Sequence, residues 1–171
     1  ENDDSSKQDE VTADNAETSI DCRYLLNGHY AYVNASAMYD NLAEIDYRTT
    51  AGIGAGFYPW KTDSLSVNMD AGIGYLWEEV DNAPDEYPVF RFSERLIQAL
   101  GPNASIRQSV EYLPKAEDFD NFILNSELGS EAAVNSSIAL RITLSNTYDS
   151  KPAESREKNN LSLVTSIVWK P

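Results

Sequence analysis

The chain has 171 residues with 28 acidic and 13 basic side chains, and its formal charge of -15 opposes phosphate backbones by plain Coulomb repulsion, which excludes nucleic-acid binding. Hydrophobic residues make up 42% of it, enough to bury one interior, and the single cysteine, Cys22, excludes an internal disulfide. No apolar run reaches the roughly 18 residues of a helical membrane span.

Residues 1–16, rich in Asp, Glu, Ser and Asn, read as an acidic exposed loop or tail, and 17–171 as one β-barrel with about nine visible strands. Segments of period two bounded by turn residues place those strands near 18–26, 30–40, 46–57, 64–78, 87–100, 104–113, 121–134, 137–148 and 160–169. Cys22 falls on the apolar face of the first and reads as a small hydrophobe. The connections alternate. Asn27-Gly28, Pro59 to Asp63, Gly101 to Asn103 and Asn135-Ser136 are tight, while 41–45, 79–86, 114–120 and 149–159 are mostly longer and acidic or polar. Short turns on one rim and long loops on the other are how bacterial outer-membrane barrels are built, with the short rim toward the periplasm. Such barrels close with an even number of antiparallel strands, so nine visible strands predict that at least one is missing at the amino end. The start at Glu1, without a basic-then-apolar leader, is read in the same sense, as a beginning inside a longer protein.

The fourth segment carries the strongest signal. Leu65, Val67, Met69, Ala71, Ile73, Tyr75 and Trp77 alternate with Ser64, Ser66, Asn68, Asp70, Gly72, Gly74 and Leu76, and Leu76 alone breaks the order. Successive strand side chains point to opposite faces, so the segment separates an apolar medium from a wet one. Its length exceeds the five or six residues usual in soluble strands and suits a tilted crossing of about 9 to 11.

Six of the seven arginines, Arg23, Arg48, Arg91, Arg95, Arg107 and Arg141, fall on the polar faces of these segments, together with Asp21, Asp46, Asp70, Glu111, Glu127 and Glu131. Guanidinium forks match carboxylates, so the pattern predicts a lumen filled with an Arg–carboxylate network. Gly52, Gly54, Gly56, Gly72 and Gly74 share that face. Aromatic side chains gather toward strand ends, where membrane interfaces hold amphipathic rings. Tyr30, Tyr32, Phe57, Tyr58, Trp60 and Trp169 mark one rim, and Tyr39, Tyr47, Tyr75, Trp77, Tyr87, Tyr112, Phe122 and Tyr148 the other. One conflict stands in the fifth segment, where Glu94 and Gln98 share the apolar face with Phe90, Phe92 and Leu96.

Little else carries chemistry. His29, the only histidine, sits beside the Asn27-Gly28 turn, so neither a Ser-His-Asp triad nor a multi-histidine metal site is complete. Glu127 and Glu131 form the best carboxylate pair, and inward arginines neutralise such a pair more often than they free it for acid–base work. The acidic stretches 81–86 and 116–120 follow no cation-loop spacing. No catalytic residue, metal or cofactor is expected.

Asp46-Tyr47-Arg48 with Gly52, Gly54 and Gly56, then Tyr58 to Asp63, Ala71 to Tyr75, Arg91 to Arg95, Glu111 to Pro114, Asp118 to Asn121, and Thr147 to Ser150 with Arg156 to Asn159, together resemble the YdiY-like family of salt-induced outer-membrane proteins, a bacterial domain family of unknown function. The resemblance spans about 17–170 in order and spacing. It implies a Gram-negative outer-membrane β-barrel with no established activity or ligand. One departure is the end of the last segment, where Trp169 is followed by Lys170-Pro171 instead of closing on an aromatic.

The expected protein is thus all-β, an antiparallel up-and-down transmembrane barrel of the bacterial outer membrane with its amino-terminal part missing. Its partner is outer-membrane lipid and its role structural or tied to envelope stress. The alternatives are a narrow channel for a small solute or cation, and a soluble lipocalin-like barrel holding an apolar ligand.

Overall fold

In the computed structural model of the chain, residues 14–41, 44–152 and 156–169 are described. Most of the expected acidic tail and the Lys170-Pro171 terminus lie outside them.

Nine strands follow one another: β1 (Asn15–Leu26), β2 (His29–Asp40), β3 (Ile45–Lys61), β4 (Leu65–Val80), β5 (Ala83–Ala99), β6 (Ala104–Lys115), β7 (Asp118–Ala133), β8 (Ile138–Asp149) and β9 (Asn159–Trp169). They form one sheet in sequence order, each antiparallel to the next. Local chemistry sets this up. Asn27 (φ 47°) and Gly28 (φ 86°) both take the left-handed conformation that a two-residue hairpin turn requires, and its twist matches that of the flanking strands. Pro114, which has no N–H to give a ladder, stands at the β-bulge where β6 leaves register with β7.

The sheet curls into a half-barrel. Arg48 of β3 reaches Asp149 of β8 at 3.0 Å, and Asn160 of β9 donates to Asp40 of β2 at 3.3 Å, so strands far apart in sheet order face each other. Among the described residues, β1 and β9 are each paired along one edge only.

The register fixes the two faces. Val33, Ile53, Ile73 and Phe90 pair side by side on the convex face, and Asn34, Gly52, Gly74 and Val89 on the concave one. Leu76, the residue that broke the alternation, is fully buried on the concave side with Tyr87, Val89 and Ile123, and Leu113 packs against them. The concave space therefore holds an apolar cluster as well as charges. Glu94 and Gln98 remain on the convex face, since β4 and β5 pair without a bulge from Leu65 to Val80.

Two expectations change. The rims do not divide into short turns and long loops: Asp81 (φ 53°) and Asn82 (φ 58°) alone connect β4 to β5, and Ala116-Glu117 alone connect β6 to β7. At the first of these the strands run on through the acidic stretch because two left-handed residues suffice to reverse the chain. Only the β8–β9 connection, 150–158, remains long. Second, Tyr30, Tyr32, Tyr58 and Tyr87 are not on an outer rim, Tyr87 lying in the buried concave cluster just described. Tyr30 and Tyr32 are buried on the concave face, and the Tyr58 ring lies 5.4 Å from that of Tyr30.

The glycines on this face make room for those rings. A Cβ at Gly56 would collide with the Tyr30 ring and the Asp70 side chain, and one at Gly54 with the Tyr32 ring and the Ala71 carbonyl. At Gly129, by contrast, the nearest atoms are 3.6 Å away, an ordinary contact. Gly56→Ala should destabilise the fold by about 1–3 kcal/mol through overpacking, and Gly129→Ala by much less. Urea unfolding of both variants followed by tryptophan fluorescence measures the difference.

Candidate functional site

The pleat turns the strand charges of alternate residues toward the concave side, where three clusters hold most of them. At the rim formed by the β2–β3, β4–β5, β6–β7 and β8–β9 connections, Arg48 is buried and donates to Glu78 at 2.6 Å and to Asp149 at 3.0 Å, while the Tyr87 hydroxyl donates to Glu78 at 2.6 Å. This cluster ties β3 and β4 to β8 across the curl. In the middle of the sheet Arg91 bridges Asp70 and Glu111 and lies over the Tyr32 ring, 5.1 Å from its centroid. Asp70 also accepts the Tyr30 hydroxyl at 2.9 Å, and Tyr30 in turn accepts the Asn68 amide at 3.0 Å. Toward the opposite rim, Glu131 accepts from Arg141 at 2.6 Å, with Arg107 at 3.5 Å.

Arg23 stands apart, paired with Asp21 at 2.6 Å on the edge strand β1 and set over Tyr30 at 4.8 Å from its centroid. Asp46 falls at a bulge in β3 and is exposed. Arg95 and Glu127 are exposed on the concave face, and neither makes an ion pair among the described residues. The structure thus brings Arg48, Asp70, Arg91, Arg107, Glu111, Glu131 and Arg141 into contact with partners and leaves Arg95 and Glu127 open.

Sequence reasoning did not single out Glu78 and Asp149. Their signal was parity: Glu78 continues the even-numbered face of Asp70, and Asp149 the odd-numbered face of Arg141.

The outer wall carries its own pattern. Ile53 is 57% exposed, Ile73 58%, Leu163 70% and Ile167 77%. On the same face the rings of Phe92, Tyr112, Phe122 and Tyr148 follow one another in series, 6.3, 5.2 and 5.6 Å between centroids. Tyr75 and Trp77 form a separate pair on β4, 4.9 Å from each other. Trp60 and Trp169 are exposed near the other rim.

A third layer of ion pairs crosses the rim connections. Lys115 meets Asp85 at 3.2 Å, Lys151 meets Asp118 at 2.7 Å, and Arg156 meets Glu44 at 2.9 Å. The Lys151 hydrogen bond holds the Asp118 carboxyl, beyond the aromatic row, below the usual carboxylate range. A lowered folded value stabilises above the unfolded pKa and is lost as the pH falls through the folded one, so this contact fails only in acid.

Among the described residues, no group of three or more His, Cys, Asp and Glu side chains is placed to hold a metal ion. A cavity of about 480 Å³ lies within the curl between the clusters.

The fold and the site define an all-β, antiparallel up-and-down sheet of barrel-like curvature. The chain belongs to the family described as "Protein of unknown function, DUF481", whose model matches residues 2–170. No curated protein and no solved structure matches it.

Removing one member of a buried ion cluster strands the others without a counter-charge. Arg48→Ala, which leaves Glu78 and Asp149 facing each other, should cost about 3–5 kcal/mol, whereas Arg23→Ala at an exposed pair should cost about 0–1 kcal/mol. Paired urea titrations of the two variants separate these outcomes.

Proposed function

We propose that this chain is a non-enzymatic β-barrel of the bacterial outer membrane, akin to the YdiY-like salt-induced proteins, with a structural role in the envelope. The observation that carries this reading is the convex wall. Its aliphatic side chains stand exposed across adjacent strands, on the same face as a series of aromatic rings, while the charges on the other face are largely neutralised in pairs. A water-soluble monomer rarely leaves so broad an apolar surface open, and an apolar band under an aromatic girdle is what a bilayer selects. A lipocalin-like arrangement calls for the reverse, large aliphatics inside and charges outside. No helix among the described residues is long and apolar enough to cross a membrane, which leaves strands to do so in this proposal.

Closure follows from direction. Neighbouring strands alternate, so β1 and β9 run the same way and cannot pair antiparallel with each other. A closed antiparallel barrel needs an odd number of further strands between them, which agrees with the even totals of outer-membrane barrels. The buried ion cluster ties β3 and β4 to β8 across the curl beside the apolar group of Leu76, Tyr87, Val89 and Ile123, which favours a structural barrel over a conducting one.

The protein should partition with outer membranes and fold into lipid vesicles, giving a band whose mobility on an unheated gel shifts after boiling. Ile73→Arg, a charge on the proposed lipid face, should destabilise the vesicle-inserted form by about 2–4 kcal/mol if it lies near the bilayer midplane. Full-length protein that stays monodisperse without detergent and does not sediment with outer membranes overturns the membrane reading. Stable ion currents in planar bilayers overturn the structural role.

A further inference from the structure

The cavity inside the curl is lined by charges of two kinds. Asp21, Arg48, Arg91 and Glu111 already have ion-pair partners. Arg95 and Glu127 line the same cavity, are exposed to it, and make no ion pair among the described residues. Glu17, the other such carboxylate on the lining, stands on the edge strand β1, in register with Met38 and through it with Arg48.

Register places Arg95 and Glu127 in one row. Arg95 of β5 pairs with Ser109 of β6, Ser109 with Glu127 of β7, and Glu127 with Ser145 of β8. Two interstrand steps set their backbones about 10 Å apart, with a hydroxyl between them and another beyond. A cation and an anion at that spacing, both solvated and both turned inward, are complementary to a solute that carries one charge of each sign. A single ion would satisfy one of them and leave the other alone.

We propose that this cavity binds a small zwitterion of dipeptide size. Its carboxylate is taken by the guanidinium fork of Arg95 and its ammonium group by Glu127, with the peptide unit over Ser109. Two residues of extended chain span about 7 Å, a length that Arg and Glu side chains reaching inward from this row can bracket. The volume of about 480 Å³ accommodates such a molecule. The inference goes beyond the barrel reading and does not depend on what the outer wall faces.

The test is calorimetric titration of alanyl-alanine into the full chain, folded in detergent micelles and checked for its β-sheet circular dichroism. Saturable binding is expected, with Arg95→Gln and Glu127→Gln each weakening it about tenfold, since a charge-assisted hydrogen bond contributes on that scale. Acetylating the peptide's amino group should weaken binding to the parent protein and abolish the effect of Glu127→Gln. The exchanged double variant, Arg95→Glu with Glu127→Arg, should bind again with the peptide reversed. The proposal is overturned by folded protein that shows no saturable binding, by single variants that bind like the parent, or by acetylated and amidated peptide that binds as well as the zwitterion. Failure to insert into vesicles bears on the membrane reading alone.

Discussion

Every charge that the pleat turns inward and buries has to be neutralised there, and the geometry of the sheet follows from that constraint. An isolated buried ion costs several kcal/mol even after relaxation, so a buried arginine is tolerable only beside a carboxylate. Arg48 is the sharpest case, because one of its partners, Glu78, is on the adjacent strand and the other, Asp149, is on β8, on the far side of the curl. A flat sheet would leave Asp149 out of reach. Curvature and charge pairing are therefore one feature: the sheet bends far enough for distant strands to share counter-ions, and the shared counter-ions hold the bend.

The same inward space is divided by size. Where β3 and β4 carry Gly54, Gly56 and Gly72, the backbones are bare and the rings of Tyr30 and Tyr32 lie directly on them. Those rings then supply a hydroxyl to Asp70 and a π-face to Arg91, so the glycines shape the central ion cluster without contributing a charge to it. Gly56 and Asp70 are direct neighbours in register, which makes the tyrosine, the glycine and the carboxylate one packed unit.

Much of this was legible in the sequence because a strand's period is two. Arg91, Asp70 and Glu111 could be placed on one side from parity alone, and the exposed faces of Ile53 and Ile73 follow from the same count. What parity could not supply is pairing across the curl. That Arg48 meets Asp149, 101 positions further along, depends on curvature, which no local pattern encodes. The rims were misread for another reason. Polar residues such as Asp81 and Asn82 suggest an extended loop, yet both tolerate the left-handed conformation, and a tight hairpin uses that ability. Tyr30 and Tyr32 were assigned to an outer rim by residue type, although their even numbers put them on the face of Asn34 and Gly52. Position within the pleat outweighed the usual preference of a tyrosine for an interface.

The convex wall is not uniform. On β2 to β4 its residues are small or aliphatic through the middle, as with Ala35, Ala51, Ile53, Ala71 and Ile73. On β5 to β8 polar side chains interrupt it: Glu94 pairs with Val110, Gln108 with Leu96 and Leu128, and Asn146 with Ser126. Glu94 and Gln98 are half-buried, so neighbours cover part of each. Long side chains of this kind can lay their methylenes along aliphatic neighbours and carry the polar end toward water. Under the membrane reading that motion needs a nearby interface, and the aromatic row through Phe92 and Tyr112 lies one step along the same face from Glu94 and Val110. On that reading the two halves of the wall answer to different demands, the β2–β4 half to hydrocarbon alone and the β5–β8 half to hydrocarbon within reach of water.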